Sequence, residues 1–427
     1  MSIYPDARRP AASRHALAWA AALVSVSLAT ATSAEVLTLP EALSRAAAYD
    51  PTRPASAARV QAAEAGVRQA GVRPNPSVGV DLENFSGTGS QSAFDRSEAT
   101  VYYQQTLERG GKREARTDVA RADVLLARDR SAVRALDLLA EVQTAWVGAL
   151  AAEAAIAVAQ ERLTVAEQLN REVGRRVAAA RDPLFAGERS RTAVLQGQIA
   201  RDQAVEIARQ ARATLARFWG GGETFDLDVR GLEQTPAAPV PRPLQAPDLA
   251  LLTAERDAAA SRIRLERSRA VQDPTWRVGV RHFGDGNEVA LVVGGAIPLG
   301  RYDRNVGGIA RAQAERTAAE AEIIAATAAL DREIANLTAR RASSLTEVRR
   351  IDAEVLPSAA KALMLVRAGF NRGGGAFTYL EVAEAQRAVV ETKARRVDLL
   401  KSFHLDGVRL DRLTGRHLPL ISVAETR

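Results

Sequence analysis

The residue types that carry out most enzyme and metal chemistry are sparse and scattered in this chain. The 427 residues include no cysteine, and beyond the N-terminal segment the histidines are His282, His404 and His417. None of these stands at the spacing of a paired metal ligand, and no HExxH pattern occurs. The sequence therefore predicts no metal site and no cofactor, and no cluster of nucleophile, acid and base indicates an enzyme.

A second candidate for chemistry is the glycine pair before Lys112. Gly110-Gly111-Lys112 precedes a predicted helix, but a phosphate-binding loop needs a further glycine earlier and a serine or threonine after the lysine. Arg113 stands at that last position. The segment is instead predicted to be the turn at which a strand becomes a helix at a membrane boundary.

Charged residues fall on alternate positions, with apolar residues between them, in two short segments, although Gly279 takes one of the alternate positions in the second. Asp81 and Glu83 alternate with valine and leucine, and Arg277 and Arg281 alternate with tryptophan and valine. Alternation of this kind predicts strands with one apolar and one charged face. We expect the charged face to line a wet lumen, where opposite charges can pair. The residues expected to face lipid are Val78, Val80, Val101, Tyr103, Trp276 and Val278.

Long helical segments follow these strands. A hairpin is predicted over 77–107, and nearly uninterrupted helical pattern runs from Glu108 to Arg181. At about 1.5 Å per residue such a helix would be roughly 110 Å long, much longer than a bilayer is thick. A second helix is predicted from about 187 to 219, so that 108–220 forms a long helical hairpin.

The whole order then recurs. Residues 35–220 are predicted to form a first repeat, 221–247 a proline-rich linker, and 248–415 a second repeat with a hairpin at 275–298 and a helical hairpin at 303–415. A tail covers 416–427. Leu356-Pro357 is the one strong interruption predicted within the second long helical segment, because proline lacks the amide that a helix interior requires, and a second segment could begin there with proline in its first turn. The fold class is thus mostly α with membrane β, built by duplication.

The N-terminal segment 1–34 has the form of a secretory signal peptide. Arg8, Arg9 and Arg14 precede an uncharged apolar run, and small residues before Glu35 provide a cleavage site. Export separates the chain from nucleic acid, so the net charge of +7 indicates solvated helix surfaces.

Four strands do not close a barrel of useful bore, and an open sheet leaves reactive edges. Closure across subunits removes those edges. Each strand is long enough for a tilted pass through a bilayer. A soluble sheet packed on helices is the alternative reading of the same alternation.

Two further segments resemble one known family. Residues 107–113 (LERGGKR) and 370–386 (FNRGGGAFTYLEVAEAQ) are similar to the TolC-like outer-membrane efflux proteins, and most of all to their heavy-metal, cobalt-zinc-cadmium branch. The resemblance implies a homotrimer with a twelve-stranded outer-membrane barrel continued by a periplasmic α-helical barrel. It also implies a Gram-negative outer-membrane location and two partners, a periplasmic adaptor and a proton-driven inner-membrane RND-type pump.

The resemblance also implies sites at the periplasmic tip. Glu381 and Glu384 occupy the place where the family narrows its tunnel, so a trimer would carry six carboxylates that favour cations. The chain departs from the family in carrying Ala180 where glycine is common and Phe377 where some relatives carry a gating arginine, a role that Arg181 or Arg372 would have to fill. The predicted adaptor-docking residues are Arg181, Asp182, Pro183, Arg372, Gly373, Gly374 and Gly375.

The predicted function is passive export of divalent heavy-metal cations through an outer-membrane channel. Two alternatives stay open on the sequence. The same channel could export drugs or proteins, or the chain could be a soluble periplasmic coiled-coil adaptor, although an adaptor has no need for duplicated strand pairs with an apolar face.

Overall fold

The computed structural model describes residues 35–89, 96–222, 224–236, 246–372 and 377–425. The predicted signal peptide, much of the proline-rich linker, and Gly373 to Gly375 of the predicted docking tip lie outside these ranges. The described chain is mostly helical.

Four antiparallel strands form one sheet. Strands β2 (Ser77–Glu83), β3 (Glu98–Thr106), β5 (Thr275–Phe283) and β6 (Val289–Ala296) lie side by side in that order. Tyr103 stands opposite both Val78 and Val278, and Thr100 opposite both Asp81 and Arg281. This register places the valines on one face and the charged residues on the other, because side chains alternate along each strand. The two repeats thus meet at the β3–β5 pair.

Long helices continue the chain beyond the sheet. In the first repeat, α3 (Lys112–Ala178, 67 residues) returns through α4 (Leu184–Ala216). In the second repeat, α6 (Val306–Arg350) and α7 (Leu356–Arg372) form the outward arm and α8 (Tyr379–Thr414) returns. Helices α2 (Arg53–Ala70) and α5 (Pro247–Arg269) precede the two strand pairs and pack on α3. At 1.5 Å per residue, α3 alone is about 100 Å long.

The second long helix changes at the predicted position: α6 ends at Arg350, and α7 begins at Leu356 with Pro357 in its first turn. A π-helical turn over Ile351–Val355 joins α6 to α7, and the helical course continues through the proline. Proline in a helix interior deprives one carbonyl of its amide partner. A π turn changes the pairing from i→i−4 to i→i−5 just before the proline, so the chain stays helical between the end of α6 and the start of α7.

A compact middle region surrounds the centre of α3. Strand β1 (Glu35–Leu37) pairs in parallel with β4 (Phe225–Leu227), and α1 (Leu39–Tyr49) packs beside them. A 3-10 turn at Arg217–Trp219 follows α4, and another 3-10 turn covers Val229–Glu233. Helix α9 (Leu418–Glu425) ends the described chain. The core here contains Leu43, Leu139, Val142, Leu215 and Phe225, each at most 5% exposed.

Helix α3 also contains one stretch that is apolar and long enough to cross a membrane by composition, of which 39% is buried inside the chain. Core side chains of the middle region, including Val142, Val147 and Leu150, belong to α3 and are at most 3% exposed. The apolar character of this helix is therefore at least partly explained by packing.

Candidate channel surfaces

The charged face of the sheet carries paired side chains. Arg277 Nη1 lies 3.7 Å from Asp81 Oδ2, and Arg281 Nη2 lies 2.9 Å from Glu83 Oε2. Arg281 also contacts Glu98, with Nη1 2.7 Å from Oε2. The pairing of opposite charges suggested by the strand pattern is present, and Glu98, which the sequence analysis did not single out, is a third carboxylate on this face.

The opposite face of the sheet is apolar and open. Val78 is 73% exposed and Val80 61% exposed, and Leu291 and Val293 on the far edge strand are each 73% exposed. A continuous apolar surface of this kind is unfavourable in water and marks a surface that contacts lipid or protein. Trp276 and Tyr103 lie on the same face near its helix-proximal end, with ring centroids 5.6 Å apart.

The turn between β3 and α3 is held by residues of the second repeat. Lys112 Nζ lies 2.6 Å from Asp273 Oδ2, and the Arg109 amide donates to Asp273 Oδ1 at 2.9 Å. Burial acts to raise the pKa of Asp273, but these two hydrogen bonds outweigh it and the pKa is lowered. Gly110 has a φ of +69° and a Cβ there would lie 2.7 Å from Val271. The glycine pair therefore serves a tight junction, and Lys112 is engaged by a carboxylate.

At the far end of the helical hairpins, Arg176 connects three segments. Its Nε and Nη2 donate to the two carboxylate oxygens of Asp182 at 2.8 Å each, and its Nη1 donates to the Phe370 carbonyl at 2.6 Å. Its guanidinium also lies 4.2 Å from the Phe370 ring centroid. This arrangement, the Arg176 clamp, fixes the α3–α4 turn to the end of α7.

The turn itself contains a strained alanine. Ala180 has a φ of +55° and follows the α3 C-cap Ala179. The Arg181 amide donates to the Arg176 carbonyl at 2.9 Å, and the Ala180 amide to the Val177 carbonyl at 2.9 Å. This is the hydrogen-bond pattern of a helix end that normally uses glycine. The departure from glycine noted in the sequence thus falls on a left-handed residue.

The two predicted aperture residues have different surroundings. Thr378 donates to Glu381 through its backbone amide at 2.7 Å and through its hydroxyl, forming a capping box at the start of α8. These hydrogen bonds lower the pKa of Glu381. Glu384 is exposed one turn further along and has no hydrogen-bond or ion-pair partner within the described part of the chain. The Thr-x-x-Glu sequence at 378–381 is the local signature of such a capping box.

The other predicted tip residues lie at the ends of α3, α4 and α7. Arg181 and Arg372 have no ion-pair partner among the described residues, and Pro183 is the N-cap of α4. Phe377 lies against Gly369, where a Cβ would approach its ring to 2.3 Å. The arginine that ties the tip within one chain is Arg176, which the sequence analysis missed because it lies inside a long run of helical charged residues.

A buried polar cluster lies in the middle region. Arg341 is 5% exposed, donates to the Pro236 carbonyl at 3.0 Å, and stacks 4.2 Å from the Phe403 ring centroid. Burial lowers the pKa of the neighbouring His404, whose Nε2 lies 2.9 Å from the Leu232 carbonyl. No group of three or more His, Cys, Asp or Glu side chains suited to a metal ion occurs within the described ranges.

Comparison with known proteins gives consistent matches. Residues 42–221 match the family model described as outer membrane efflux protein. The chain is 28% identical over 386 residues to the cobalt-zinc-cadmium resistance protein CzcC of Cupriavidus metallidurans, covering 89% of this chain and 90% of that protein. It is 29% identical to the nickel-cobalt-cadmium resistance protein NccC of Alcaligenes xylosoxydans xylosoxydans, covering 73% and 70%. A crystal structure of CusC superimposes with a TM-score of 0.72 at 18% identity, covering 87% of this chain and 91% of that one.

The fold is that of the TolC-like outer-membrane channels. Within that class, the chain is similar over most of its length to the heavy-metal-resistance proteins, and residues 42–221 match the outer membrane efflux protein family. The resemblance seen in the sequence is confirmed, as are the Gram-negative outer-membrane location and the assignment as a channel and not an enzyme.

Proposed function

We propose that this protein is the outer-membrane component of a tripartite, proton-driven efflux system and that it conducts divalent heavy-metal cations out of the cell. The metal assignment is supported by the relatives, which are named for resistance to cobalt, zinc, cadmium and nickel and match most of the chain. The chain itself acts as a passive conduit, with the energy supplied by the inner-membrane pump.

The observation that carries the channel architecture is the two-faced open sheet. Its apolar face is exposed, its charged face is paired, and β2 and β6 are edge strands without a second neighbour among the described strands. Edge strands offer unpaired backbone groups, which cannot be left open in a bilayer. We propose that three copies join β2 of one subunit to β6 of the next, giving a twelve-stranded barrel. The predicted division into two repeats, a linker and a tail is retained in this proposal.

The same closure places the long helices side by side. Each copy contributes four helical arms: α3, α4, the α6–α7 arm and α8. Three copies would give a twelve-helix tunnel about 100 Å long, enough to extend far into the periplasm. Many apolar side chains on these arms are exposed in the single chain, such as Ile199 at 57% and Ile324 at 73%, as expected of helices that pack against neighbouring subunits.

The proposed trimer assigns a role to each group of charged residues. Asp81, Glu83, Arg277 and Arg281 would line the barrel lumen. Glu384 would act at the periplasmic aperture as an unpaired carboxylate, while Glu381 would shape the same aperture from its capping position. The α3–α4 turn at Arg181, Asp182 and Pro183, with Arg372 and the following glycines, would dock the periplasmic adaptor.

Metal tolerance of a deletion strain tests this proposal. Loss of the gene is expected to sensitise cells to one or more of cobalt, zinc, nickel, cadmium and copper, and complementation with the wild-type gene is expected to restore tolerance. In parallel, a heat-modifiable trimer in the outer-membrane fraction checks assembly. Unchanged metal tolerance together with new sensitivity to drugs would instead support general export. A periplasmic monomer that needs no detergent would support the adaptor alternative and contradict the channel.

A further inference from the structure

We infer that the groove beside the start of α3 binds the phosphate headgroup of an anionic phospholipid in the periplasmic leaflet of the outer membrane. The inference rests on the proposed function, because it takes the apolar sheet face as the lipid-contacting surface. It adds a ligand and a binding site to that function.

The first observation is the position of the groove. It is lined by Arg73 and Asn75 before β2, by Tyr103, Gln105 and Leu107 at the end of β3, and by Arg113 in α3. Tyr103 and Gln105 belong to the same face of the sheet as the exposed valines. The groove is therefore continuous with the apolar face at its helix-proximal end.

The second observation is an aromatic pair at the helix-proximal end of the apolar face. Trp276 and Tyr103 are each 39% exposed and their rings lie 5.6 Å apart. Tryptophan and tyrosine are enriched where hydrocarbon meets headgroups, because their rings are apolar at one end and polar at the other. Immediately beyond the pair, Gln105 Nε2 donates to the Pro74 carbonyl at 2.9 Å and so holds the Arg73 segment against the strand end.

The third observation is the charge of the groove. Arg73 and Arg113 are exposed, and neither has an ion-pair partner among the described residues. Other ionic groups of the lining are already engaged: Glu108 contacts Arg116, Lys112 contacts Asp273, and Arg121 contacts Asp118. Glu114 is the remaining carboxylate of the lining. Two guanidinium groups against one carboxylate leave the groove positive, and guanidinium groups pair well with phosphate oxygens.

The second repeat has similar features at the corresponding level. Leu299 and Tyr302 are 88% and 89% exposed after β6, and the Arg301 guanidinium lies 5.4 Å from the Tyr302 ring centroid. Large exposed apolar side chains next to arginine form an amphipathic border suited to a membrane interface. Both repeats thus carry exposed apolar, aromatic and arginine side chains next to the end of the sheet, a combination that a leaflet with anionic headgroups complements.

Tryptophan quenching in vesicles tests the inference with the full mature chain. Trp276 lies at the membrane face, whereas Trp146 and Trp219 pack in the middle region, about 50 Å away along α3, and supply a constant background. The protein is reconstituted in phosphatidylcholine vesicles that carry a minor share of brominated phosphatidylglycerol or of brominated phosphatidylcholine. Quenching is expected to be stronger with the brominated phosphatidylglycerol, because each arginine near the surface enriches an anionic lipid about fivefold.

The matched variants are the double substitution Arg73→Gln with Arg113→Gln, and Arg191→Gln, an exposed arginine on α4. The double variant is expected to be quenched equally by both lipids, while Arg191→Gln retains the preference. Native mass spectrometry of the intact assembly, counting retained phosphatidylglycerol, checks the same difference without fluorescence. Equal quenching of the wild type by both lipids overturns the headgroup site but leaves the membrane face intact. No quenching by either lipid overturns the membrane face itself, and with it the proposed function.

Discussion

Arg176 donates two hydrogen bonds of 2.8 Å to the carboxylate of Asp182, six residues away across the α3–α4 turn. Both side chains are mostly buried, at 16% and 12% exposure. Because Arg176 also donates to the Phe370 carbonyl, the pair joins both helical hairpins of one subunit at the tip. The tip, which we propose docks the adaptor, is therefore expected to move as one unit.

Removal of the clamp is expected to loosen the tip locally. Arg176→Ala should lower the free energy of opening the α3–α4 turn by about 2 kcal/mol or more, since a single hydrogen bond to a charged group contributes about 1.5–3 kcal/mol. Hydrogen exchange of the amides around 180–186 measures this directly. Arg191→Ala, on the exposed face of α4, is the control and should leave exchange unchanged. Equal protection in wild type and Arg176→Ala would show that the clamp does not hold the turn.

Replacing Ala180, whose backbone is left-handed, with glycine is expected to stabilise the protein. Ala180→Gly should stabilise the hairpin by about 1 kcal/mol, because a left-handed backbone costs an L-residue roughly 1–2 kcal/mol that glycine avoids. Ala179, with a φ of −87°, is the matched control, and glycine there should be neutral or destabilising. Thermal or denaturant unfolding of the solubilised protein compares the two. A loss of stability in Ala180→Gly would contradict the assignment of strain to this residue.

The two tip glutamates should respond differently to neutralisation. Glu384→Gln is expected to reduce the cation preference of single channels in bilayers while leaving helix α8 intact, since this carboxylate has no partner within the described chain. Glu381→Gln should weaken the start of α8 as well, because Thr378 loses a charged acceptor.

The double variant Glu381→Ala with Glu384→Ala is expected to change cation conductance most. Single-channel reversal potentials in a salt gradient measure the selectivity, and amide exchange at 378–382 reports the cap. Unchanged selectivity in the double variant would remove both residues from the aperture.

His404 gives a pH dependence of stability. Burial lowers the pKa of its imidazole in the folded state, partly opposed by the contact with the Leu232 carbonyl, and the charge of Arg341 lowers it further. The pKa of this histidine in the unfolded chain is about 6.5. Below that pH the unfolded chain binds more protons than the folded chain, so the free energy of unfolding decreases as the pH falls. His404→Gln keeps a polar side chain and should make unfolding less dependent on pH between about 5 and 7. If the free energy of unfolding of His404→Gln depended on pH as strongly as that of the wild type, the imidazole of His404 would not be buried and neutral.

Periodic features of the molecule were accessible from the sequence. Alternation placed Asp81 and Arg277 on one face of the sheet, and the pair is seen at 3.7 Å. The helical pattern from Glu108 to Arg181 corresponds to α3, which ends at Ala178. Such features depend on neighbouring residues, which a sequence displays directly.

Features that depend on distant segments were missed. Arg176 could not be distinguished from the other helical arginines, because its partner Phe370 is 194 residues away. The π turn over Ile351–Val355 was also missed, because it has no simple residue signature, although the start of a new segment at Leu356-Pro357 was predicted. The Thr378–Glu381 capping box is different, because its local signal was present in the sequence.

The central claim is closure of the sheet between subunits, and inter-subunit disulfides test it most directly in a chain that has no cysteine. Val80→Cys on β2 is combined in turn with cysteine at each position of β6. Within one chain these strands are separated by β3 and β5, about 14 Å apart, beyond the roughly 7 Å that a disulfide can bridge. Oxidation in the outer membrane is predicted to give covalent trimers at one or two β6 positions. Monomers at every position would contradict closure of the barrel by three copies.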